Sequence, residues 1–492
     1  MTRCSARRPH RRSTSGSRSC APSHSPICAT RLAEPLAPRD VVRSKLCIGC
    51  GGCAADASEG SMAWDRHGTW KPDGAFASVP SEEFAQRCPF SPDARDEDMI
   101  GAERFPAAPF ATALLGRHES TWVGHVAEGE WRESGSSGGM VSWVAAELLR
   151  TGAVDAVAHV APVAAPQDDG RYFAYRLSHD TASLLAGAKS RYYPVELSAV
   201  LREIRATPGR YAIVAVPCFA KMIQLERARD PVLRERVPHV LGLFCGHQKS
   251  ARLVDSFAWQ LDTPPARVRA VDYRIKDAGR PANWYRAHLT LDDGSARAED
   301  WWHLADGDWG AGFFQNSACD MCDDVVAETA DVAFGDAWVE PYSSDGRGTN
   351  VVVARTPLVD GLIRAAVAEG RLVLEEVDAA FVEATQAAGF RHRREGLAYR
   401  LTWRRWRGGV AKRKRVAPDA RALPLRRRLV YRTRAGIARW SHRLAWLSAR
   451  TGAPGLYLHW ARPVLAFYRA LAWSHGRLGG WIDRVLPDAR RQ

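Results

Sequence analysis

The chain has 492 residues, 46% hydrophobic and 25% charged. That is enough for two or three domains with a sizeable core, which excludes a disulfide-stapled miniprotein or a wholly disordered chain. The formal net charge of +14 sits at the ends. Residues 391–492 hold 26 Lys and Arg against 4 Asp and Glu, residues 1–45 hold 10 against 2, and the middle is net acidic, so overall basicity is no argument for nucleic-acid binding by the body.

Residues 1–40 are rich in Arg, Ser and Pro with almost no apolar periodicity, and are expected to be a disordered basic segment. Cys4, Cys20 and Cys28 fall there and receive no role. The basic residues are not followed by the apolar run of roughly 7–15 residues that a secretory signal needs. Nor does any apolar run approach the ~20 residues of a spanning helix. The expected location is the cytoplasm, where cysteines are more often metal ligands than disulfides.

Residues 41–105 are expected to form a small cysteine- and glycine-rich domain. It carries CIGCGGC at 47–53 and CPF at 88–90. A C-x2-C-x2-C run can wrap three corners of a cubane cluster, and a remote Cys-Pro can supply the fourth. Cys47, Cys50, Cys53 and Cys88 are therefore read as ligands of a 4Fe-4S cluster. The glycines let the backbone bend and bring N–H groups close to the sulfurs. A zinc knuckle is the alternative, although zinc sites favour two separate C-x2-C pairs.

From 106 to 390 the pattern is that of an α/β core. TWVGHV (121–126), VDAVAHV (154–160), YAIVAVP (211–217), HVLGLFC (239–245), ADVAFGDAW (330–338) and NVVVART (350–356) read as strands. Helical stretches between them, such as GGMVSWVAAELLRTG (138–152), predict a mixed sheet covered by helices. SGSSGG (134–139) runs into that helix. It suits either a phosphate at the helix N-terminus or a serine cap with a flexible entry. AKSRYYP (188–194) adds Lys189 and Arg191, as an anion site or as a solvated face. Cys218 and Cys245 each end a predicted strand, and Cys319 and Cys322 form a close pair. Together the four could close a second cluster, and taken singly Cys218 and Cys245 favour the reading as small buried core residues.

Residues 391–492 are expected to be a basic tail of amphipathic helices. Val430, Ile437, Trp440, Leu444 and Leu447 follow helical spacing, as do Leu456, Trp460, Val464, Phe467 and Leu471. Such helices with seven tryptophans suit an anionic membrane surface on the inner face. Alternatively they dock their apolar faces on the acidic body.

With these segments in order, residues 45–390 resemble the coenzyme F420 hydrogenase/dehydrogenase beta subunit family. This family includes beta subunits of F420-reducing hydrogenase and formate dehydrogenase, and 7-hydroxymethyl chlorophyll a reductase. The resemblance is carried by CIGCGGC with the later CP, SGSSGGMVSWVAAELLRTGAVDAV, GAKSRYYP, VPCFAKMIQL, LFCGHQKS, DYRIKD and CDMCDDVVAETADVAFGDAW. Ala188, Phe219 and the order Gly-His after Cys245 depart from the family pattern.

The resemblance implies an α/β (α+β) iron–sulfur flavoprotein with a ferredoxin-like N-terminal segment and a mixed-sheet flavin-binding core. Cys47, Cys50, Cys53 and Cys88 would hold one 4Fe-4S cluster, and Cys218, Cys245, Cys319 and Cys322 a second. Ser136, Ser137, Gly138, Gly139, Lys189 and Ser190 would contact FAD. Coenzyme F420 or NAD(P)H would be the co-substrate, and ferredoxin or a redox subunit the partner. Members encoded among polysaccharide-assembly enzymes suggest a glycan or lipid-linked substrate. No catalytic acid or base is identified, and Asp336, His125 and His247 are candidates. The competing readings are an electron-transfer subunit without its own substrate, and a zinc-stapled protein whose basic tail holds nucleic acid.

Overall fold

The structure, a computed structural model, describes residues 35–403, 415–421 and 423–486. Of the disorder expected over 1–40, residues 1–34 lie outside the described residues, as do Cys4, Cys20 and Cys28, RRWR at 404–407 and the first three residues of KRKR at 412–415. Residues 35–40, by contrast, are ordered: Leu36 bridges Ser81 and Pro38 opens the helix Pro38–Arg43, with Pro38 and Val41 buried.

Two hairpins open the chain: β1 (Ser61–Trp64) with β2 (Trp70–Asp73), and β3 (Phe110–Thr112) with β4 (Gly116–His118). Then follow β5 (Ser120–Val126), β6 (Ala156–Pro162), β7 (Phe173–Ser178), β8 (Tyr211–Ala215) and β9 (His239–Leu243). β10 (Val268–Asp272), β11 (Arg286–Leu291) and β12 (Ala296–Asp300) make a separate antiparallel sheet. β13 (Val332–Asp336), β14 (Asn350–Ala354) and β15 (Leu372–Glu376) return to the main one.

That main sheet has eight strands in the order β15-β5-β14-β13-β9-β8-β6-β7. Its centre, β13-β9-β8-β6, is parallel, and the strands outside it run antiparallel. All six strands expected from sequence are present. The central ones read as short continuous apolar runs because both faces are covered. Along β6 and β8, alternate residues serve opposite faces. Val157 and Ala212 pack with Trp143, Val144, Phe334 and Ile363 under the helices Met140–Arg150 and Pro357–Ala368. Ala156, Ala158, Ile213 and Ala215 pack on the other face with Leu201, Phe219, Ile223 and the N-terminal segment, which brings the cysteines in.

The C-terminal helices Leu425–Thr451, Gly455–Trp473 and Gly476–Val485 dock on the body. Ile437, Ala445, Tyr457, Leu465 and Tyr468 share one core with Tyr273, Leu289, Phe313 and Phe314. The Phe314 amide donates to Ser441 Oγ at 2.9 Å, and Tyr457 Oη donates to Asp306 at 2.8 Å. Each large apolar side chain buried here contributes about 1.5–3 kcal/mol, so docking is strongly favoured.

Of the stripe the spacing suggests, Val430, Ile437 and Leu471 are buried, but the rest of the inner face is offset from it. Tyr457, Ala461, Leu465 and Tyr468 point inward, whereas Trp440, Leu447, Leu456 and Phe467 are exposed. The helices carry apolar residues around more than one face, so spacing alone does not select the inner one. Arg415 adds charge contacts, at 2.7 Å from both Asp98 and Glu328.

Candidate functional site

The first cysteine set sits in a loop–helix–loop. Gly51 adopts φ 85° as the N-cap of the short helix Gly52–Asp56, which carries Cys53, and Cys88 follows the helix Glu82–Arg87. A Cβ at Gly51 would lie 2.9 Å from the backbone nitrogen of Leu197, and one at Gly52 would lie 2.7 Å from Met222 Sδ. Both glycines therefore bring the loop flush against the helices Ser198–Ala206 and Pro217–Arg229. The Cys50 carbonyl accepts from the Leu197 amide at 2.9 Å, and Lys71 Nζ donates to the Cys47 carbonyl at 2.8 Å. The four cysteines line one cavity of ≈ 30 Å³ with Ile48, Phe84, Phe90 and Met222. Burial pushes the Cys50 and Cys53 thiols well up, and the other sulfurs of the set add to it.

The second set assembles at the carboxyl edge of the parallel strands, where ligands collect in such sheets. Cys218 follows β8 at the start of Pro217–Arg229, and Cys245 follows β9. Cys319 and Cys322 come from a tight turn ahead of β13. That turn is held to the edge strands by Cys245 N–H donating to the Val325 carbonyl, and by Gln248 N–H donating to Cys319 Sγ at 3.3 Å. Burial raises all of Cys218, Cys245 and Cys319, with Cys245 at about 11 and Cys319 at about 12. Cys218 also feels Cys50 of the first set. Asn316, beside the turn, reaches the Ile48 carbonyl at 3.4 Å. The two sets are thus neighbours.

Their spacing bears on the metal. Among the described residues, no three cysteine sulfurs lie within 4.8 Å of one another. Four thiolates about 2.3 Å from one zinc ion would stand closer than that. Neither set is gathered as tightly as the shell of a single zinc ion requires.

A cleft with cationic side chains lies near the second set. The Ser190 amide donates to Ser136 Oγ at 2.8 Å, joining SGSSGG to AKSRYYP. Lys189 lies 3.8 Å from Asp272, and Lys276 Nζ donates to the carbonyls of Ser137, at 2.6 Å, and Arg132. Ser136, Arg274, Lys276, Trp284, Tyr285 and Gly348 line the cleft. Burial, helped by Lys189, Arg132 and Arg274, brings Lys276 down to about 7. Lys276 is the one of these cations without a carboxylate partner among the described residues, and an anionic, phosphorylated group would suit it, although Asp277 also lines the cleft. Tyr192 bridges the regions, since the charges of both Arg274 and Cys245 act on its hydroxyl.

Sequence reasoning noted DYRIKD but gave Arg274 and Lys276 no role; only long-range folding brings them to the serines. Ser136, Ser137, Lys189 and Ser190 are half-buried around the cleft, whereas Gly138 and Gly139 are buried. A Cβ on Gly138 would meet the Gly124 carbonyl at 2.7 Å, and one on Gly139 the Trp131 carbonyl at 2.6 Å. The first helical N–H, of Met140, already donates to Asn350 Oδ1 at 3.1 Å. The glycines serve the packing of the turn, Ser136 and Lys276 line the cleft, and Ser137 Oγ donates to the Thr349 carbonyl at 3.0 Å.

Residues 121–202 match the family model for the coenzyme F420 hydrogenase/dehydrogenase beta subunit N-term, and residues 209–380 that for its C terminus. The chain belongs to the coenzyme F420 hydrogenase/dehydrogenase beta subunit family. It is a redox protein, and the zinc-stapled nucleic-acid reading falls away. The matched segments of this F420 hydrogenase/dehydrogenase-type chain contain the cleft and the second cysteine set. CIGCGGC, Cys88 and everything beyond 380 lie outside them. No curated protein matches in sequence. Among solved structures, a chain of the F420-reducing NiFe hydrogenase complex from Methanosarcina barkeri aligns with 15% identity and a TM-score of 0.45, covering 60% of this chain and 96% of its own.

The three candidate acids separate by environment. Asp336 is tied to Arg274 at 3.0 Å. His125 is half-buried on β5 and lowered by burial and by Arg132. His247 is buried, stacks on Trp309 at 4.4 Å and is pushed well down, first by burial and then by Lys249, so it is neutral near pH 7. None of the three is assigned a catalytic role.

Proposed function

We propose that this family member is an iron–sulfur flavoprotein oxidoreductase that moves electrons between a hydride carrier, coenzyme F420 or NAD(P)H, or ferredoxin, and an organic substrate. The observation that carries it is the line of sites: Cys47, Cys50, Cys53 and Cys88, then Cys218, Cys245, Cys319 and Cys322, then Tyr192 and the cationic cleft. Each set would hold one 4Fe-4S cluster. Ser136, Ser137, Lys189, Ser190 and Lys276 would hold the phosphates of FAD. Flavin, when bound, supplies the interchange between two-electron hydride chemistry and one-electron transfer, and the clusters supply the one-electron path. The chain's own work is to keep the thiols buried, exclude water around them and fix the anion in the cleft.

The test is anaerobic purification with visible and electron paramagnetic resonance spectra, before and after dithionite. Wild-type protein is expected to be brown, with flavin bands that bleach. Cys50→Ser and Cys322→Ser are each expected to lose about half of the bound iron. Colourless protein with no iron would overturn the reading. A second reading is an electron-transfer subunit without a substrate of its own, which the two neighbouring cysteine sets would serve equally well. An isolated chain that exchanges electrons with ferredoxin yet reduces no small molecule favours it.

The proposal extends to an anionic membrane surface. No helix of the described residues is long and apolar enough to cross a membrane. At one end of the docked tail, however, Leu425, Trp473, Leu478, Trp481 and Val485 are exposed beside Arg477 and Arg484. Buried Arg426 holds this end together, donating to the Leu471 carbonyl at 2.8 Å and to Ser474 Oγ at 2.9 Å and pairing with Asp483. Aromatic and aliphatic side chains flanked by arginines suit the headgroup boundary of an anionic bilayer. A lipid-linked glycan substrate would fit that location.

A further inference from the structure

The second cysteine set has a neighbour that comes from outside the family-matched segments. The helix Ala387–Arg393 ends with Arg393 against the strand-end loop that carries Cys245. Arg393 is 2% exposed. Nη2 donates to the carbonyls of Cys245, at 2.9 Å, and Gly246, at 2.7 Å. Nε and Nη1 have no hydrogen-bond partner among the described residues, and Arg393 makes no ion pair with a carboxylate of those residues. A buried cation left in this way is costly unless an anion meets it. The groups near it that could carry the opposite charge are the sulfurs of Cys322, Cys245 and Cys319 and the carboxylate of Asp324.

A further arginine from the same region braces the turn. Arg400, 1% exposed, donates through Nε to the carbonyl of Asp320, between Cys319 and Cys322, at 2.8 Å, and through Nη2 to the His392 carbonyl at 3.0 Å. The first set is differently served. Of its nearby cations, Arg87 lies within reach of Glu83 at 3.6 Å and Glu226 at 3.8 Å and pairs with Asp56, so carboxylates already neutralise it, and Lys71, which donates to the Cys47 carbonyl, is only half-buried.

We propose that Arg393 is the built-in counter-charge of a cluster on Cys218, Cys245, Cys319 and Cys322, and that it raises that cluster's reduction potential above the first cluster's. The inference rests on the reading that these four cysteines hold a cluster. A four-iron cluster with four thiolates is an anion. Reduction adds one electron from the donor and neither makes nor breaks a bond, so an unneutralised buried guanidinium stabilises the reduced form more than the oxidised one. Arg393 acts through the cluster's charge and is a positioning and tuning residue. The second cluster becomes the stronger acceptor, which directs electrons inward, toward the cleft.

The experiment is a potentiometric titration followed by electron paramagnetic resonance on full-length wild-type, R393Q and R393K protein, with iron content measured in parallel. Cys322→Ala assigns the second signal as the one it removes. R393Q is expected to move that signal to more negative potential while the first stays put, and R393K to restore most of the shift. Loss of the second signal in R393Q with its retention in R393K supports the same conclusion. An unchanged potential in iron-replete R393Q overturns the proposal, as does loss of the signal in both variants, which would make Arg393 merely structural. Wild-type protein with no signal sensitive to Cys322→Ala overturns the underlying cluster reading instead, and the two failures are distinguishable.

Discussion

Lys276 shows how one side chain can report on the cleft. Its ammonium donates to two backbone carbonyls while burial and the neighbouring Lys189, Arg132 and Arg274 bring it down to about 7. An anion in the cleft favours the charged lysine, so above pH 7 binding must take up a proton. Affinity for FAD is therefore expected to fall as pH rises from 7, by about tenfold per unit at most for one linked proton. Below pH 7 the lysine is already charged and the dependence flattens. Lys276→Met is expected to weaken binding by about tenfold at pH 6.5 and to abolish the slope, since one charge-assisted hydrogen bond is worth about 1.5–3 kcal/mol. Flavin fluorescence titrations from pH 6 to 9 check both. A slope that persists in Lys276→Met would assign the proton to another group.

At the scale of elements, Gly51 joins local geometry to the relation between the two cysteine sets. A side chain there must adopt φ 85° and push into the backbone of Leu197 and Ser198. Gly51→Ala is expected to cost about 1–3 kcal/mol through the left-handed strain and clash. It should reduce iron at the first set while sparing the second. A lowered first thermal transition together with a partial loss of iron checks this; unchanged iron would mean that the loop relaxes without moving its sulfurs.

The same elements show what could be read from the chain. The C-x2-C-x2-C run and the paired Cys319 and Cys322 were visible because ligand spacing is local. The central strands were visible because burial on both faces leaves short apolar runs. Arg274, Lys276 and Arg393 were not, because their roles exist only once β10, the serine turn and the helix Ala387–Arg393 converge. Nor was the inner face of the tail, where Tyr457 and Leu465 are buried while Leu456 and Phe467 are exposed although all four are apolar.

For the whole molecule, the proposed clusters would couple iron to folding. Eight thiols gathered in two sets gain nothing from one another as free thiols, and metal held only by the folded state stabilises it by mass action. Anaerobic chelation is expected to lower the first thermal transition by several degrees, with Cys50→Ser protein showing a smaller further drop than wild type. Equal transitions with and without iron would place the sulfurs in a core indifferent to metal.

Charge distribution sets the last expectation. The basic tail sits on a net acidic body, and Arg415 pairs with Asp98 and Glu328 where the two meet. Exposed Trp473, Leu478, Trp481 and Val485 with Arg477 and Arg484 are left facing solvent. Full-length protein is expected to co-sediment with vesicles containing anionic phospholipid and much less with neutral ones. Each arginine near an anionic surface contributes about 1 kcal/mol, and salt screens it. Trp481→Ser combined with Leu478→Ser removes apolar area but no charge, so it should weaken binding at every salt concentration. Arg477→Gln combined with Arg484→Gln should weaken it mainly at low salt. Binding that ignores lipid charge, or that survives both pairs of substitutions, would move the contact elsewhere and leave these tail helices as a cover for the second cysteine set and the core beneath it.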